Sequence, residues 1–125
     1  MSRFAEITRD ALNAQVRAFY GRARLDPDLG PIFAAIADWE GHFDLLTRFW
    51  AAVMLGERDY DGRPMPAHMR HPIRDPMFDR WLQLWGQTAD ELFEPELAAR
   101  LKEKAAQIAR GLRLGLFFRP DAASA

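Results

Sequence analysis

Apolar residues recur every three or four positions along most of the 125-residue chain, and this spacing constrains the fold most strongly. One face of an α-helix has that period, whereas a half-buried β-strand alternates apolar and polar residues. No such alternation of any length is present. We therefore predict an all-α protein with one domain at residues 1–119 and a disordered tail at residues 120–125.

Local signals place the first two helices. The first is predicted over Thr8–Leu25 and ends where the segment 26–31 reads Asp-Pro-Asp-Leu-Gly-Pro. The second is predicted over Asp38–Leu55, with Asp38 as the N-cap and Gly56 as the stop. Its expected apolar face consists of Leu45, Leu46, Phe49, Trp50, Val53 and Met54.

A long irregular loop separates these helices from the last two. Residues 57–74 are rich in Gly, Pro and charge and allow only a short helical turn around Ala67–Arg70. The third helix is predicted over Asp75–Phe93, because Asp75 can cap it and proline suits its first position. The last is predicted over Leu97–Phe118. A loop of this length in so small a domain tends to be functional.

Composition excludes several classes of protein. Without cysteine there can be no disulfide, thiolate catalysis, Cys-ligated metal or covalent Cys-x-x-Cys-His haem attachment. A formal net charge of −1 gives no electrostatic footprint for nucleic acid. The N-terminus is too charged for a signal peptide, and no apolar run approaches the ~18 residues of a membrane span. We expect a cytoplasmic monomer that binds neither nucleic acid nor membranes.

Two histidines suggest a cofactor site. His42 lies near the start of the second helix, and His68 lies in the short proline-flanked turn. Such a pair can place one imidazole on each side of a flat cofactor, and a neutral imidazole is a common haem iron ligand. His68 suits the iron because the prolines fix the turn that carries it. His71 competes for this role, although Pro72 follows it directly.

Other residues could complete a haem pocket. Tyr20 and Trp81 each place a hydrogen-bond donor on an apolar helical face, where burial is costly unless the donor is used. Arginines in or beside the loop could pair with two haem propionates. These arginines are Arg63, Arg70 and Arg74. Candidates for the apolar walls are Phe33, Leu46, Phe49, Trp50, Met54, Met65, Met69, Phe78 and Leu82.

Taken one at a time, these residues have plainer interpretations. A loop histidine is usually solvated, Trp81 alone is a core residue, and Tyr20 alone is a half-buried tyrosine. The residues alone therefore leave open a cofactor-free helical interaction module. A non-haem metal site at His42, His68 and His71 is disfavoured because no Glu-x-x-His motif accompanies them.

Several stretches, in order and with their spacing, resemble the truncated haemoglobins of group III. The resemblance covers about residues 5–118, and the Gly-Gly pairs typical of groups I and II are absent. The matching stretches are Ala18-Phe19-Tyr20, Asp26-Pro27-Asp28-Leu29-Gly30-Pro31-Ile32-Phe33, Phe49-Trp50-Ala51 with Met54-Leu55-Gly56, Tyr60-Asp61-Gly62-Arg63-Pro64 up to His68, and Phe78-Asp79-Arg80-Trp81-Leu82.

This resemblance implies a two-over-two helical sandwich around haem b. By position, His68 becomes the proximal iron ligand, and Tyr20 and Trp81 become distal hydrogen-bond donors to the bound ligand. His42 takes the distal position at the pocket entrance, where it is expected to gate access. The residues placed on the haem face or the distal helix are Phe33, Leu46, Phe49 and Trp50.

The implied function is the binding of dioxygen, CO and nitric oxide. Two distal hydrogen bonds would slow ligand release, which suits nitric oxide dioxygenation or peroxide turnover better than transport. Such turnover needs an electron donor, for example a reductase. The alternative is a haem-based redox protein or ligand sensor without catalysis of its own, in which His42 itself binds the iron.

Overall fold

The computed structural model describes residues 3–58 and 73–117. β pairing in these two stretches is limited to one isolated parallel bridge between Phe4 and Phe93, in agreement with the predicted all-α class. Within the same ranges, no helix is long and apolar enough to cross a membrane. The elements are α1 (Arg9–Ala23), a short 3₁₀ helix (Gly30–Ala35), α2 (Trp39–Leu55), α3 (Pro76–Leu92) and α4 (Pro95–Phe117).

Local caps set the ends of the first two helices, and those of α2 are the ones that were predicted. The Thr8 hydroxyl accepts the Ala11 N–H at 3.1 Å, and the Asp38 carboxylate accepts the Gly41 N–H at 3.0 Å. Each bond satisfies a backbone donor that the first turn leaves free. Gly56 ends α2 in the left-handed region with φ 73°, a conformation in which a side chain is strained.

The start of α3 differs in one respect from the prediction. Pro76 occupies the first turn, where its missing N–H costs nothing, but the Asp75 side chain does not cap the helix. Its carboxylate instead accepts the Nε–H of Arg113 on α4 at 2.8 Å. The ion pair forms instead of the cap because α4 brings the Arg113 guanidinium to this end of α3. A local sequence pattern could not predict this contact.

The four helices form two packed pairs that share a core. α1 packs against both α2 and α3, and α3 packs against α4. The largest fully buried side chains include Trp85, Phe19, Phe93 and Leu12, so the core lies where α1 meets α3. Burying apolar side chains of this size stabilises the fold by about 1.5–3 kcal/mol each.

One side of α2 was predicted wrongly. Leu45 was expected on the apolar face but is 40 % exposed, whereas Thr47 is only 5 % exposed. The Thr47 hydroxyl accepts a hydrogen bond from Asn13 Nδ2 at 3.0 Å, which removes the cost of burying it. Because α1 approaches α2 along the Thr47 and Ala51 side, the buried face is turned away from Leu45.

A buried carboxylate fixes the corner after α1. Asp26 Oδ2 accepts the backbone N–H groups of Asp28 and Leu29 at 3.0 and 3.1 Å, and Oδ1 pairs with Arg80 Nε at 2.6 Å. Gly30 completes the corner, since a Cβ there would lie 2.7 Å from the Arg24 carbonyl oxygen. This corner leads into the 3₁₀ helix and so positions Phe33 against α1.

Candidate functional site

A cluster of aromatic rings surrounds Tyr20. The Tyr20 side chain is buried, and its ring centroid lies 5.0 Å from that of Phe33 and 5.2 Å from that of His42. Trp39 and Phe43 complete the cluster at 5.5 and 6.0 Å. Most of these contacts are T-shaped, the arrangement that aromatic pairs favour. α1, the 3₁₀ helix and the first turn of α2 therefore meet at Tyr20.

The His42 side chain has an unused polar atom inside this cluster. Its Nε2 is buried and has no hydrogen-bond partner among the described residues. Burial lowers the pKa of the His42 imidazole, since a cation would be poorly solvated there. A neutral imidazole with a buried, unpartnered nitrogen carries a desolvation cost that a bound molecule could offset.

The Tyr20 hydroxyl is a donor in the same place. Burial raises the pKa of this phenol, so that it stays protonated throughout the physiological range. The side chain is 8 % exposed, and the rings of Phe33, Trp39 and His42 lie around it. Tyr20 and His42 thus place two polar groups in the same aromatic cluster. The cluster lies on the side of α1 that carries Tyr20, which was predicted to face a ligand.

Two arginines cover the outer side of the cluster. The guanidinium of Arg24 lies 4.4 Å from the Trp39 ring centroid, and that of Arg17 lies 4.9 Å from the Phe43 ring centroid. Arg17 also pairs with Glu40 at 2.9 Å. Cation–π contacts at exposed sites contribute roughly 0.5–1 kcal/mol each. Trp39 and Phe43 are therefore held in place from the solvent side.

Trp81, the second predicted donor, reaches the cluster through Phe19. Its ring lies 6.2 Å from Phe19, whose own ring lies 4.9 Å from Tyr20. Trp81 is half-buried on α3 and stacks on Trp85 at 6.0 Å. The structure thus brings Tyr20 and His42 into direct contact, with Trp81 one ring away.

The predicted wall residues fall into two groups. Phe33, Leu46, Phe49, Met54 and Leu82 are half-buried and pack against the main core, so each keeps an accessible surface. By contrast, Trp50 is 3 % exposed within the main core, and Phe78 is 6 % exposed in a second cluster with Ala109 and Leu112. A role for any of them against a cofactor stays a prediction.

The predicted iron ligand and most loop residues cannot be placed. Arg74 is described; it is exposed and precedes α3, where its N–H contacts Met77 Sδ at 3.4 Å. Residues 118–125 lie outside the described residues. So do the predicted site and loop residues Arg63, Met65, Ala67, His68, Met69, Arg70 and His71.

Sequence reasoning missed Trp39 as a site residue. It begins α2 and its ring lies 5.7 Å from that of His42, in a T-shaped contact. The available signal was its position three residues before His42, because residues i and i+3 share a helical face. An aromatic residue at the start of the same helix therefore could have been assigned to the same side.

The described side chains fit the distal side of a haem. A haem with a diatomic ligand needs apolar walls and a few polar donors close together. The aromatic cluster can supply the walls, and the Tyr20 hydroxyl and the His42 Nε2, which has no partner among the described residues, can supply the polar groups. This fit concerns the distal side alone, since His68 lies outside the described residues.

Comparisons with known proteins agree with this interpretation. The family model described as "Bacterial-like globin" matches residues 4–111. The chain is 30 % identical over 113 residues to the Group 3 truncated hemoglobin ctb of Campylobacter jejuni, covering 86 % of this chain and 89 % of that protein. The crystal structure of a group III truncated hemoglobin from Campylobacter jejuni superposes with a TM-score of 0.88 and 31 % identity, covering 94 % of this chain and 97 % of that one.

Fold, family model and sequence identity point the same way. Globins bind diatomic gases at haem, and the distal cluster described above fits such a group. This chain belongs to the bacterial-like globins and, among them, to the group III truncated haemoglobins.

Proposed function

We propose that the protein binds haem b through His68 and holds dioxygen, CO or nitric oxide between the haem and the donors of Tyr20 and Trp81. The observation that supports this most directly is the contact of Tyr20 with His42, whose buried Nε2 has no partner among the described residues. Two polar groups in an aromatic cluster suit a diatomic ligand that accepts a hydrogen bond when it is bound to iron.

Each described residue has a distinct part in the proposal. Tyr20 donates a hydrogen bond, because its raised pKa keeps the phenol protonated. His42 stays neutral and stands beside Tyr20, where it controls access from the side of α2. Trp81 adds a second donor from α3. When bound, haem supplies the iron that holds the ligand.

Other residues would hold the haem itself. His68 is proposed as the proximal ligand, and arginines at the loop as partners for the propionates. These arginines are Arg63, Arg70 and Arg74. The side chains proposed to pack against the macrocycle are Phe33, Leu46, Phe49, Trp50, Met54, Met65 and Phe78.

Slow ligand release decides between transport and chemistry. Each distal hydrogen bond is expected to add about 1–2 kcal/mol, so that two slow dissociation roughly 10²-fold. A ligand held so long suits nitric oxide dioxygenation or peroxide turnover, with electrons from a reductase. We further propose that the protein works in the cytoplasm as a monomer.

One observation favours a second candidate, a redox protein or ligand sensor without catalysis of its own. The neutral His42 imidazole has an unused Nε2 and is chemically able to bind iron. A six-coordinate low-spin spectrum that is lost in His42→Ala would identify this form.

Haem titration tests the main proposal. Purified protein with one equivalent of hemin is expected to give ferric, ferrous and ferrous-CO spectra of a His-ligated globin, and His68→Ala to lose them. His71→Ala is the matched control, because it removes a neighbouring histidine of the same loop. Normal ligation in His68→Ala together with its loss in His71→Ala would move the ligand to His71. Failure of the wild type to bind hemin would refute the proposal.

A further inference from the structure

Three of the four tryptophans of the chain form a continuous stack. The ring centroids of Trp50 and Trp85 lie 4.4 Å apart with an interplanar angle of 19°, and those of Trp85 and Trp81 lie 6.0 Å apart at 17°. Trp50 belongs to α2, whereas Trp81 and Trp85 lie one turn apart on α3. We call these three residues the tryptophan stack.

The stack leads from the candidate site into the core. Trp81 is half-buried and contacts Phe19, which in turn contacts Tyr20. Trp85 and Trp50 are 2 % and 3 % exposed. One end of the stack is therefore near the proposed ligand pocket, and the other two rings are shielded from solvent.

Packing alone does not account for an indole at position 85. The Trp85 Nε1–H is buried and has no hydrogen-bond partner within the described residues, so the cost of removing this donor from water is not offset. A phenylalanine would fill much of the same space without that cost. Gln15 is also fully buried nearby, but its amide donates to the Trp85 carbonyl oxygen at 3.0 Å and leaves the indole N–H unpaired.

The same features suit the loss of one electron. Indole is among the most easily oxidised side chains, and a positive charge on Trp85 would be attracted to the π systems of the indoles stacked on it. An oxidised indole readily gives up its N–H proton to water or a base. Trp85 is buried and its N–H has no acceptor among the described residues, so the radical cation would persist.

We propose that the tryptophan stack is a one-electron redox site that supplies an electron to peroxide reduced in the pocket, an inference that rests on the proposed haem function. Reduction of hydrogen peroxide to two waters breaks the O–O bond and takes two electrons and two protons. The stack would give one electron and become a radical cation centred on Trp85, bound haem would supply the other electron, and solvent would supply both protons. A small-molecule one-electron reductant would then return one electron to the stack and one to the haem.

Rapid-freeze electron paramagnetic resonance of the ferric haem-loaded protein mixed with hydrogen peroxide tests this proposal. We expect a tryptophan radical whose lines narrow when ring-deuterated tryptophan is incorporated. Trp85→Phe and Trp50→Phe are expected to lose it, or to move it to a tyrosine. Phe4→Leu is the control, because it removes an aromatic ring outside both the stack and the candidate site and is expected to keep the signal. Circular dichroism and the ferrous-CO spectrum show that each variant is folded and loaded.

A tryptophan radical that persists unchanged in both Trp85→Phe and Trp50→Phe would overturn the proposal, and so would a wild-type radical located on tyrosine alone.

Failure of the haem function would be visible in the optical spectrum before peroxide is added. In that event, the same chain is oxidised with photogenerated ruthenium(III) tris(bipyridine). A longer-lived tryptophan radical cation in the wild type than in Trp85→Phe would support the redox site, and equal lifetimes would refute it.

Discussion

The imidazole of His42 makes a T-shaped contact with the phenol ring of Tyr20, with centroids 5.2 Å apart and planes inclined at 79°. The two residues come from different helices and lie 22 positions apart in the sequence. Both are buried enough for their pKa values to move toward the neutral form. The pair therefore offers uncharged polar groups where an uncharged diatomic ligand is proposed to bind.

Replacement of Tyr20 by phenylalanine is expected to speed oxygen release. Tyr20→Phe keeps the ring contacts with Phe33 and His42 but removes one hydrogen bond of about 1–2 kcal/mol, so the dissociation rate should rise roughly tenfold. Stopped-flow displacement of oxygen by CO measures this rate. Adding Trp81→Phe should bring the increase to roughly 10²-fold.

Tyr60→Phe is the control for this measurement, because Tyr60 is the other tyrosine of the chain. It should leave the dissociation rate at the wild-type value. An oxygen dissociation rate that is unchanged in both Tyr20→Phe and the double variant would remove Tyr20 and Trp81 from the ligand site.

Acid is expected to open the pocket through His42. Burial holds the pKa of the folded-state imidazole below the ordinary value of about 6.5. Above that pH the imidazole is therefore neutral and stays in the cluster. As pH falls through the lowered pKa, the imidazolium should leave the cluster for water, and CO association should accelerate. Tyr20 does not titrate in this range, because its pKa is raised.

Flash photolysis of the CO complex between about pH 4.5 and 8 checks this dependence. His42→Leu, which cannot be protonated, should show a flat profile over the same range. A wild-type profile that is equally flat, or one that slows in acid, would contradict the gating role of His42.

The buried Asp26 carboxylate is expected to stabilise the fold in a pH-dependent way. Burial would raise its pKa, but hydrogen bonds from Arg80 and from the backbone N–H groups of Leu29 and Asp28, with the Arg80 charge, hold the pKa below its usual value. This stabilisation is present above the unfolded-state pKa of about 3.9 and is lost as pH falls through the lower folded-state value.

Asp26→Ala should therefore lower the free energy of unfolding at pH 7 by about 2 kcal/mol, a fall in Tm of roughly 6–10 °C. Thermal unfolding followed by circular dichroism measures both. The matched control is Asp28→Ala, two residues away and exposed, which should change Tm little. Equal effects of the two substitutions would show that the Asp26 contacts contribute nothing specific.

Two glycines should respond to alanine with opposite signs. Gly56→Ala places a Cβ at φ 73° and is expected to cost about 1 kcal/mol, although no atom lies within 4 Å of the new methyl group. Gly21→Ala, inside α1 and also unobstructed, should stabilise the protein by about 0.5–1 kcal/mol. Urea unfolding of both variants measures the change in the free energy of unfolding. A Gly56→Ala variant more stable than the wild type would contradict a left-handed C-cap at Gly56.

The helix ends and the helical class were predictable because their causes are local. Thr8 and Asp38 bond to N–H groups three residues on, and Gly56 ends α2 through its own backbone freedom. Residues this close in sequence meet whatever the rest of the chain does. The family resemblance assigned both Tyr20 and His42 to the distal side, but their ring contact was not predicted.

The remaining details depended on which helices meet. Asp75 pairs with Arg113, 38 positions away, instead of capping α3, and α1 buries Thr47 in preference to Leu45. Trp50 and Trp85 each read as apolar-face residues, but only the packing of α2 near α3 stacks them. By itself the sequence determined the helical class and the caps at Thr8, Asp38 and Gly56, because short-range bonds and periodicity decide those. Tertiary structure decided the burial of the His42 Nε2, the contact of Trp39 with Tyr20 and the tryptophan stack, because each requires side chains from separate elements to share one buried space.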